Sequence, residues 1–381
     1  MKELAEILKA CAAPDEDSMA LATVVQTSGS TYRRPGARML ILADGSTIGS
    51  ISGGCLEQEV VEKAAELAQT RQTILLSYDT SAEEDIVFGA GLGCTGVVNI
   101  LLEPLTSTSP LLAFLRNLHQ RRQTGVAATI FKVEGSIPAQ VGDRLFLDTH
   151  GQMTGPVADS IIKEQLLDAA QRVAQNGHSA NVRVETESGA LEAFVEMIQA
   201  PAALVLFGAG YDAVPMVRLA KELGFHVTVI DGRPAYAQPG RFPQADAVIA
   251  AHPGQELPCA LDERTSAVIM SHNYLIDRAW LKKLLPLNLR YLGLMGPRKR
   301  AEKMTRELRQ EESISAAPLP AHRLHNPVGL DIGAEGPEQI ALAILAEIQA
   351  AWTGHAGGML REKKGPIHGR EGRMKKRQKE E

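Results

Sequence analysis

Cysteine is scarce in this chain. The four residues Cys11, Cys55, Cys94 and Cys259 stand far apart and form no CxxC pair. That spacing argues against a disulfide framework and against a paired-cysteine zinc site. Aromatic residues make up only 4% of the chain, too few for the stacking platforms that hold single-stranded nucleic acid. No uninterrupted apolar run reaches the ~18 residues of a membrane span. The opening "MKELAEILKACAAPDED" lacks a basic first segment and a continuous apolar core, so it does not read as a signal peptide. A cytoplasmic, reducing location is expected.

What is present is the composition of a globular protein. Of 381 residues, 44% are hydrophobic and 22% charged, enough for two domains with a core each. The 34 glycines point to tight turns or ligand-facing loops. A net charge of −5 conceals an imbalance. From Gly357 onward nine Lys/Arg stand against four Asp/Glu, which leaves the rest near −10. That acidic body argues against nucleic-acid binding. Residues 353–381 read as a basic, disordered tail of a kind that can touch nucleic acid, acidic lipid or an acidic partner.

Leu4, Ile7, Leu8 and Cys11 have helical spacing. "LATVVQT" predicts a strand, and "RMLILADGSTIGSI" predicts a hairpin with Asp44-Gly45 in a type I′ turn. "CLEQEVVEKAAELAQT" predicts a helix with an acidic first turn. Strands at "TILLSYD", "GVVNILLEP", "GVAATIFKV", "DRLFLDT" and "LEAFVEMI" follow, with a helix around Ile161 to Val173. No internal repeat is evident. "QAPAA", residues 199–203, marks a boundary, after which strands and helices alternate. Alternation predicts a doubly wound parallel sheet. The expected fold is α/β: an N-terminal mixed α+β domain over 1–198, then a Rossmann-like doubly wound domain over 203–352. Pro337 sits in the first turn of its closing helix, where a missing N–H costs nothing.

Two glycine-rich regions carry the chemistry. Gly208-Ala-Gly210-Tyr-Asp-Ala213 fits G-x-G-x-x-G/A between an apolar strand and a helix. The first glycine makes the turn, and the second admits a pyrophosphate. Asp231 ends the next strand, where a ribose-binding acid belongs, and Arg233 follows it. His272 and the basic run Arg298-Lys299-Arg300 lie on other strand-end loops. They suit phosphate or proton transfer, though a hydrogen-bonded histidine and a solvated helix start fit as well.

The other region is "GSTYRRPGARMLILADGSTIGSISGGCLE", residues 29–57. Arg33 and Arg34 precede a Pro-Gly turn and Arg38 follows, three guanidinium forks suited to phosphate. Gly53 and Gly54 bare their backbone N–H groups before Cys55 at a helix start, where a thiol gains thiolate character. Cys94, in "FGAGLGCTG", sits in a second glycine loop. Each cysteine also fits as a small buried hydrophobe.

These segments, with "LVLFGAGYDAVPMVRLAKELGFHVTVIDGRPAYA", "YLGLMGPRKR" and "NPVGLDIGAEGPEQIALAILAEI", resemble the XdhC/CoxI family of xanthine dehydrogenase accessory factors over about residues 18–350. The resemblance implies a molybdenum hydroxylase maturation factor, a cofactor-binding chaperone more than a catalyst. It would bind molybdenum cofactor (molybdopterin or its dinucleotide form), support its sulfuration with a cysteine desulfurase-type sulfurase, and insert it into a xanthine dehydrogenase-like apo-enzyme. A homo-oligomer is expected. On this reading Arg33 and Arg34 hold the cofactor's anionic end and Cys55 touches molybdenum or its sulfur. The two regions form one cleft, two sites, or a site shared across chains. The chief alternative is an NAD(P)-dependent oxidoreductase, although no Tyr-x-x-x-Lys pair occurs. A scaffold that binds only proteins is the third.

Overall fold

A computed structural model describes residues 2–12, 19–79, 95–157, 159–311 and 324–364. Residues 365–381, most of the expected basic tail, lie outside them. The chain divides into two compact units, Met1–Pro201 and Ala202–Glu381.

The first unit begins with helix α1 (Lys2–Ala10) and strands β1 (Met19–Ser30), β2 (Arg38–Ile41) and β3 (Thr47–Gly49). Helix α2 (Glu57–Thr70), β4 (Ile74–Asp79) and β5 (Thr95–Leu105) complete a first sheet of order β3-β2-β1-β5-β4. The next stretch repeats the plan. Helix α3 (Pro110–Arg121), β6 (Gly125–Gly135), β7 (Arg144–Leu147), β8 (Met153–Thr154), α4 (Ser160–Asn176), β9 (Ala180–Thr186) and β10 (Gly189–Ile198) build a sheet of order β8-β7-β6-β10-β9. One constant displacement along the chain carries Gly36 to Gly142, Arg38 to Arg144, Gly45 to Gly151 and Gly49 to Gly155. Every one of those glycines has positive φ.

The match extends to register. Thr23 opposes Arg38 in the first sheet as Thr129 opposes Arg144 in the second, and Leu21 opposes Glu103 as Ala127 opposes Glu196. The ladders skip one residue at the same place, Val25 in β1 and Phe131 in β6. Backbone hydrogen bonds recur in kind: Gly36 N–H donates to Val24 O at 2.8 Å, and Gly142 N–H to Ile130 O at 2.8 Å. The first unit is therefore an internal duplication, against the expectation of no repeat. Little sequence signal survives beyond glycines, one arginine and apolar alternation.

The two sheets share a core. Val25, Leu101, Phe131 and Phe194, the same two positions from each repeat, pack together, each at most 2% exposed. Burying side chains of this size stabilises by ~1.5–3 kcal/mol each. Arg38 of β2 reaches Glu196 of β10 through both guanidinium nitrogens, Nη1 at 2.9 Å from Oε1 and Nη2 on Oε2. Reciprocally, Arg144 Nη2 of β7 lies 2.5 Å from Glu103 Oε1 of β5. Residue i meets j and j meets i, the signature of an isologous two-fold contact, here within one chain.

The hairpin turn also differs in type. Gly45 N–H donates to Leu42 O, Leu42 N–H donates to Ser46 O, and only Gly45 of the Asp-Gly pair has positive φ. The connection is a three-residue loop ending in a left-handed glycine rather than a type I′ turn.

The second unit is a six-stranded parallel sheet of order β13-β12-β11-β14-β15-β16, as expected of a Rossmann-like fold. Its elements are β11 (Ala203–Phe207), α5 (Ala213–Glu222), β12 (His226–Asp231), β13 (Ala247–Ala250), β14 (Thr265–Ile269), α6 (Tyr274–Leu284), β15 (Tyr291–Leu294), α7 (Arg298–Gln310), β16 (Leu324–His325) and α8 (Pro337–Thr353). Strand side chains alternate between two cores. Leu204 and Leu206 lie in the cluster with α5 and α8 residues, Val205 and Phe207 in the one with α6 and α7. Glu347 pins α8 by accepting from Tyr291 Oη at 2.5 Å and Gly329 N–H at 2.7 Å. The strand order reverses between β11 and β14, and ligands of such sheets bind at the carboxyl ends beside that switch point. Gly208 follows β11 and His272 follows β14. No helix among the described residues is long and apolar enough to cross a membrane.

Candidate functional site

In the first unit the two halves of the 29–57 segment meet. The Tyr32 ring lies on the bend after β3, so that a Cβ at Gly53 would stand 3.4 Å from it. Tyr32 is itself 72% exposed. Gly53 and Gly54 are exposed and Cys55 is half-buried. This cluster of Tyr32, Gly53, Gly54 and Cys55 beside the two arginines was legible only in part, since nothing in the sequence singled out Tyr32.

The three arginines part ways. Arg34 is exposed and has no side-chain partner among the described residues. Arg33 Nη2 lies 2.5 Å from Glu3 Oε2 of α1. Arg38, expected to contact an anion, is instead buried against Glu196. Burial opposes its charge, yet the Glu196 carboxylate outweighs burial and holds its pKa above the ordinary value. Its counterpart Arg144 makes the reciprocal pair, so the Arg38–Glu196 contact belongs to the scaffold common to both repeats.

In the Gly-Gly-Cys bend the N–H groups of Gly54 and Cys55 are also engaged. Ser52 Oγ accepts from Gly54, Cys55 and Leu56 N–H at 3.1, 3.2 and 3.2 Å. Its hydroxyl donates to Glu57, which also accepts from Ser52 N–H at 2.9 Å and Ser50 Oγ at 3.1 Å. Burial pushes the Glu57 carboxyl up, but these donors outweigh it and hold the pKa below the usual value. An internal carboxylate thus occupies the helix start. Cys94 lies outside the described residues. Among those described, no group of three His, Cys, Asp or Glu gathers as a metal site.

The second repeat supplies a control. In α4 the positions of Gly53, Gly54 and Cys55 hold Asp159, Ser160 and Ile161, and Asp159 caps the helix by accepting from Ile161 and Ile162 N–H at 2.9 Å. α4 begins at Ser160, whereas α2 begins at Glu57, one turn later in register. The first repeat has opened that turn. Arg33 and Arg34 correspond to Ala139 and Gln140.

In the second unit Gly208 has φ +135°, and a Cβ there would lie 2.6 Å from Met270 carbonyl atoms, so only glycine fits. His272 has positive φ, 61°, and lies over Gly210, with Nε2 3.0 Å from Asp212 Oδ2. Asp231 is 5% exposed, and both its oxygens are engaged. Oδ1 accepts from Arg233 N–H and Nε at 2.9 Å each; Oδ2 accepts from Ala209 N–H at 2.8 Å and Arg233 Nη2 at 2.7 Å. Burial raises its pKa, but these donors outweigh it and the net shift is downward. Three of the four donors on Asp231 come from Arg233. Arg300 is likewise committed, 2.8 Å from buried Asp277, which also accepts from Ser271 Oγ at 2.5 Å. Arg298 and Lys299 remain exposed at the start of α7.

The profile of the XdhC and CoxI family matches residues 12–79 and 118–185, two segments of equal length related by the displacement seen in the fold. That of the XdhC Rossmann domain matches residues 204–348. The chain is also 34% identical over 336 residues to a probable xanthine dehydrogenase subunit of Bacillus subtilis, covering 88% of this chain and 93% of that one. The chain belongs to the XdhC and CoxI family. A crystal structure described as a xanthine dehydrogenase from Bacillus halodurans superposes with a TM-score of 0.73 at 28% identity, covering 93% of this chain and 96% of that one. A shorter similarity, 36% over 107 residues, links this XdhC-family chain to the molybdenum cofactor insertion chaperone PaoD of Escherichia coli. It covers 28% of this chain and 32% of PaoD.

Proposed function

We propose that this protein matures a xanthine dehydrogenase-type molybdoenzyme by carrying molybdenum cofactor, as cargo, to the apo-enzyme. The observation that carries the reading is the contrast between repeats. The scaffold is the same, yet only the first holds Tyr32, Arg33, Arg34 and the opened Gly53-Gly54-Cys55 bend. Similarity to an insertion chaperone supports the same direction.

The residues present suit that cargo. Arg34 offers an unpaired guanidinium fork to a phosphate. The exposed Tyr32 ring offers a flat face to a heterocycle. Cys55 is a soft donor matched to dithiolene-bound molybdenum. Its thiol guards or transiently ligates the metal, which is where a sulfurase partner would act. The protein works as a chaperone, with no turnover of its own.

The test is anaerobic purification from a molybdenum-sufficient host, with metal analysis and detection of oxidised pterin. Near-stoichiometric molybdenum and pterin are expected, both lost in Arg34→Ala. In Cys55→Ala pterin is retained while client activation falls. A metal-free, pterin-free wild type would overturn the reading. So would an Arg34→Ala/Cys55→Ala double variant that loads and delivers normally.

A further inference from the structure

We infer that the second unit binds a nucleotide whose ribose carries a phosphate, as in NADP(H), with Arg233 receiving that phosphate. The inference does not rest on the cargo reading, since every group involved lies in the second unit.

The sheet order, the glycine turn at Gly208 and the acid at the end of β12 place a ribose beside Asp231. A bare ribose needs an acceptor for its 2′-hydroxyl, and Asp231 has both oxygens committed to Arg233 and Ala209. What that position presents outward is cationic. The Arg233 side chain is 45% exposed, and its Nη1 has no partner among the described residues. Its plane is fixed by the two bonds to Asp231 and by the Tyr236 ring, 3.8 Å from the guanidinium carbon. A second guanidinium flanks the same ring: Arg241 lies 5.0 Å from its centroid. Arg241 Nη1 is anchored on Ala209 O at 2.8 Å and Tyr236 O at 3.0 Å, which ties Arg241 to the glycine turn itself.

A guanidinium held in one plane with a free Nη1 suits a phosphate dianion far better than a neutral diol, and a second guanidinium on the same ring adds positive charge nearby. His272 Nε2 lies 3.0 Å from Oδ2 of Asp212, the carboxylate beside Gly210, and so engages that oxygen at the glycine turn.

The experiment is calorimetric titration of the full-length protein with 2′,5′-ADP, 5′-AMP, NADPH and NADH. The 2′-phosphorylated member of each pair, 2′,5′-ADP or NADPH, should bind about tenfold or more tightly, the range of a charged hydrogen-bonded contact. Arg233→Ala should abolish that preference and tilt it toward NADH, because Asp231 then becomes an open acceptor. A gain for NADH is a readout that misfolding does not produce. Arg233→Lys keeps the charge without the fork and should retain an intermediate preference. Equal affinities in the wild type, or failure to bind any of the four, would overturn the inference, as would an unchanged ratio in Arg233→Ala.

Discussion

The two repeats of the first unit are the same machine with different fittings. They share strand order, register, the skipped residue in the ladder, four left-handed glycines (Gly29 with Gly135 in addition to the three pairs above) and a reciprocal pair of buried Arg–Glu contacts. They differ where α2 and α4 begin and in the loop before the second strand. The second repeat caps its helix conventionally with Asp159; the first substitutes glycines, routes Ser52 and Glu57 inward, and leaves Cys55 on a bend. What is common to both halves is therefore scaffold, and what is confined to one is the candidate site.

The largest test of that division is on the shared pairs. Arg38→Ala and Arg144→Ala should each cost about 3–5 kcal/mol, because each strands a buried carboxylate. The denaturant midpoint of the first unit, followed by far-ultraviolet circular dichroism, reads both. The double change Arg38→Met/Glu196→Leu should recover most of the loss. A negligible effect at either site would break the equivalence.

Next come the shared glycines. A Cβ at Gly49 would lie 2.4 Å from Arg38 O, and one at Gly155 2.2 Å from Arg144 O. Gly49→Ala and Gly155→Ala should each destabilise by about 1–3 kcal/mol, from strained backbone and a forced shift. Thermal unfolding of the two variants should move in the same direction.

Installing the second repeat's cap in the first separates fold from function. Gly53→Asp/Gly54→Ser should rewind the first turn of α2 and add about 0.5–2 kcal/mol, the value of an N-cap. Molybdenum and pterin loading should fall. A stabilised variant that loads normally would remove the bend from the site.

The smallest effect is in pH. Glu57 has a pKa below its ordinary 4.5 in the folded chain, so its contribution is present above that value and lost as pH falls through the lower, folded one. Hydrogen exchange at the start of α2 should accelerate in that acid window, and Glu57→Gln should flatten the dependence. Position 163, the counterpart in α4, is a lysine, and exchange there supplies the comparison.

Much of this was legible in the sequence, for physical reasons. The alternation after residue 203, the glycine turn at Gly208 and the acid at Asp231 are local patterns, and the parallel sheet followed from them. The neutralisation of Arg38 by Glu196 and of Arg300 by Asp277 was not legible, because it joins residues remote in sequence. Asp231 was correctly placed at its strand end but read as open, since no spacing rule says that Arg233 would fold back on it. The duplication hid behind divergence at the positions that set it apart. The segments "GARMLIL" and "GDRLFLD" held its trace, a glycine two residues before an arginine ahead of an apolar run.

The reciprocal contact also bears on how the chain is made. Arg38 and Glu196 are separated by 158 positions. At about 5–20 residues per second of synthesis, roughly 8–30 seconds pass between them. Throughout that interval the emerging first half holds an unpaired arginine and one side of an apolar seam. The first repeat is thus, while nascent, itself in need of shelter, and its opened bend sits on a sheet whose seam closes only after its twin has left the ribosome.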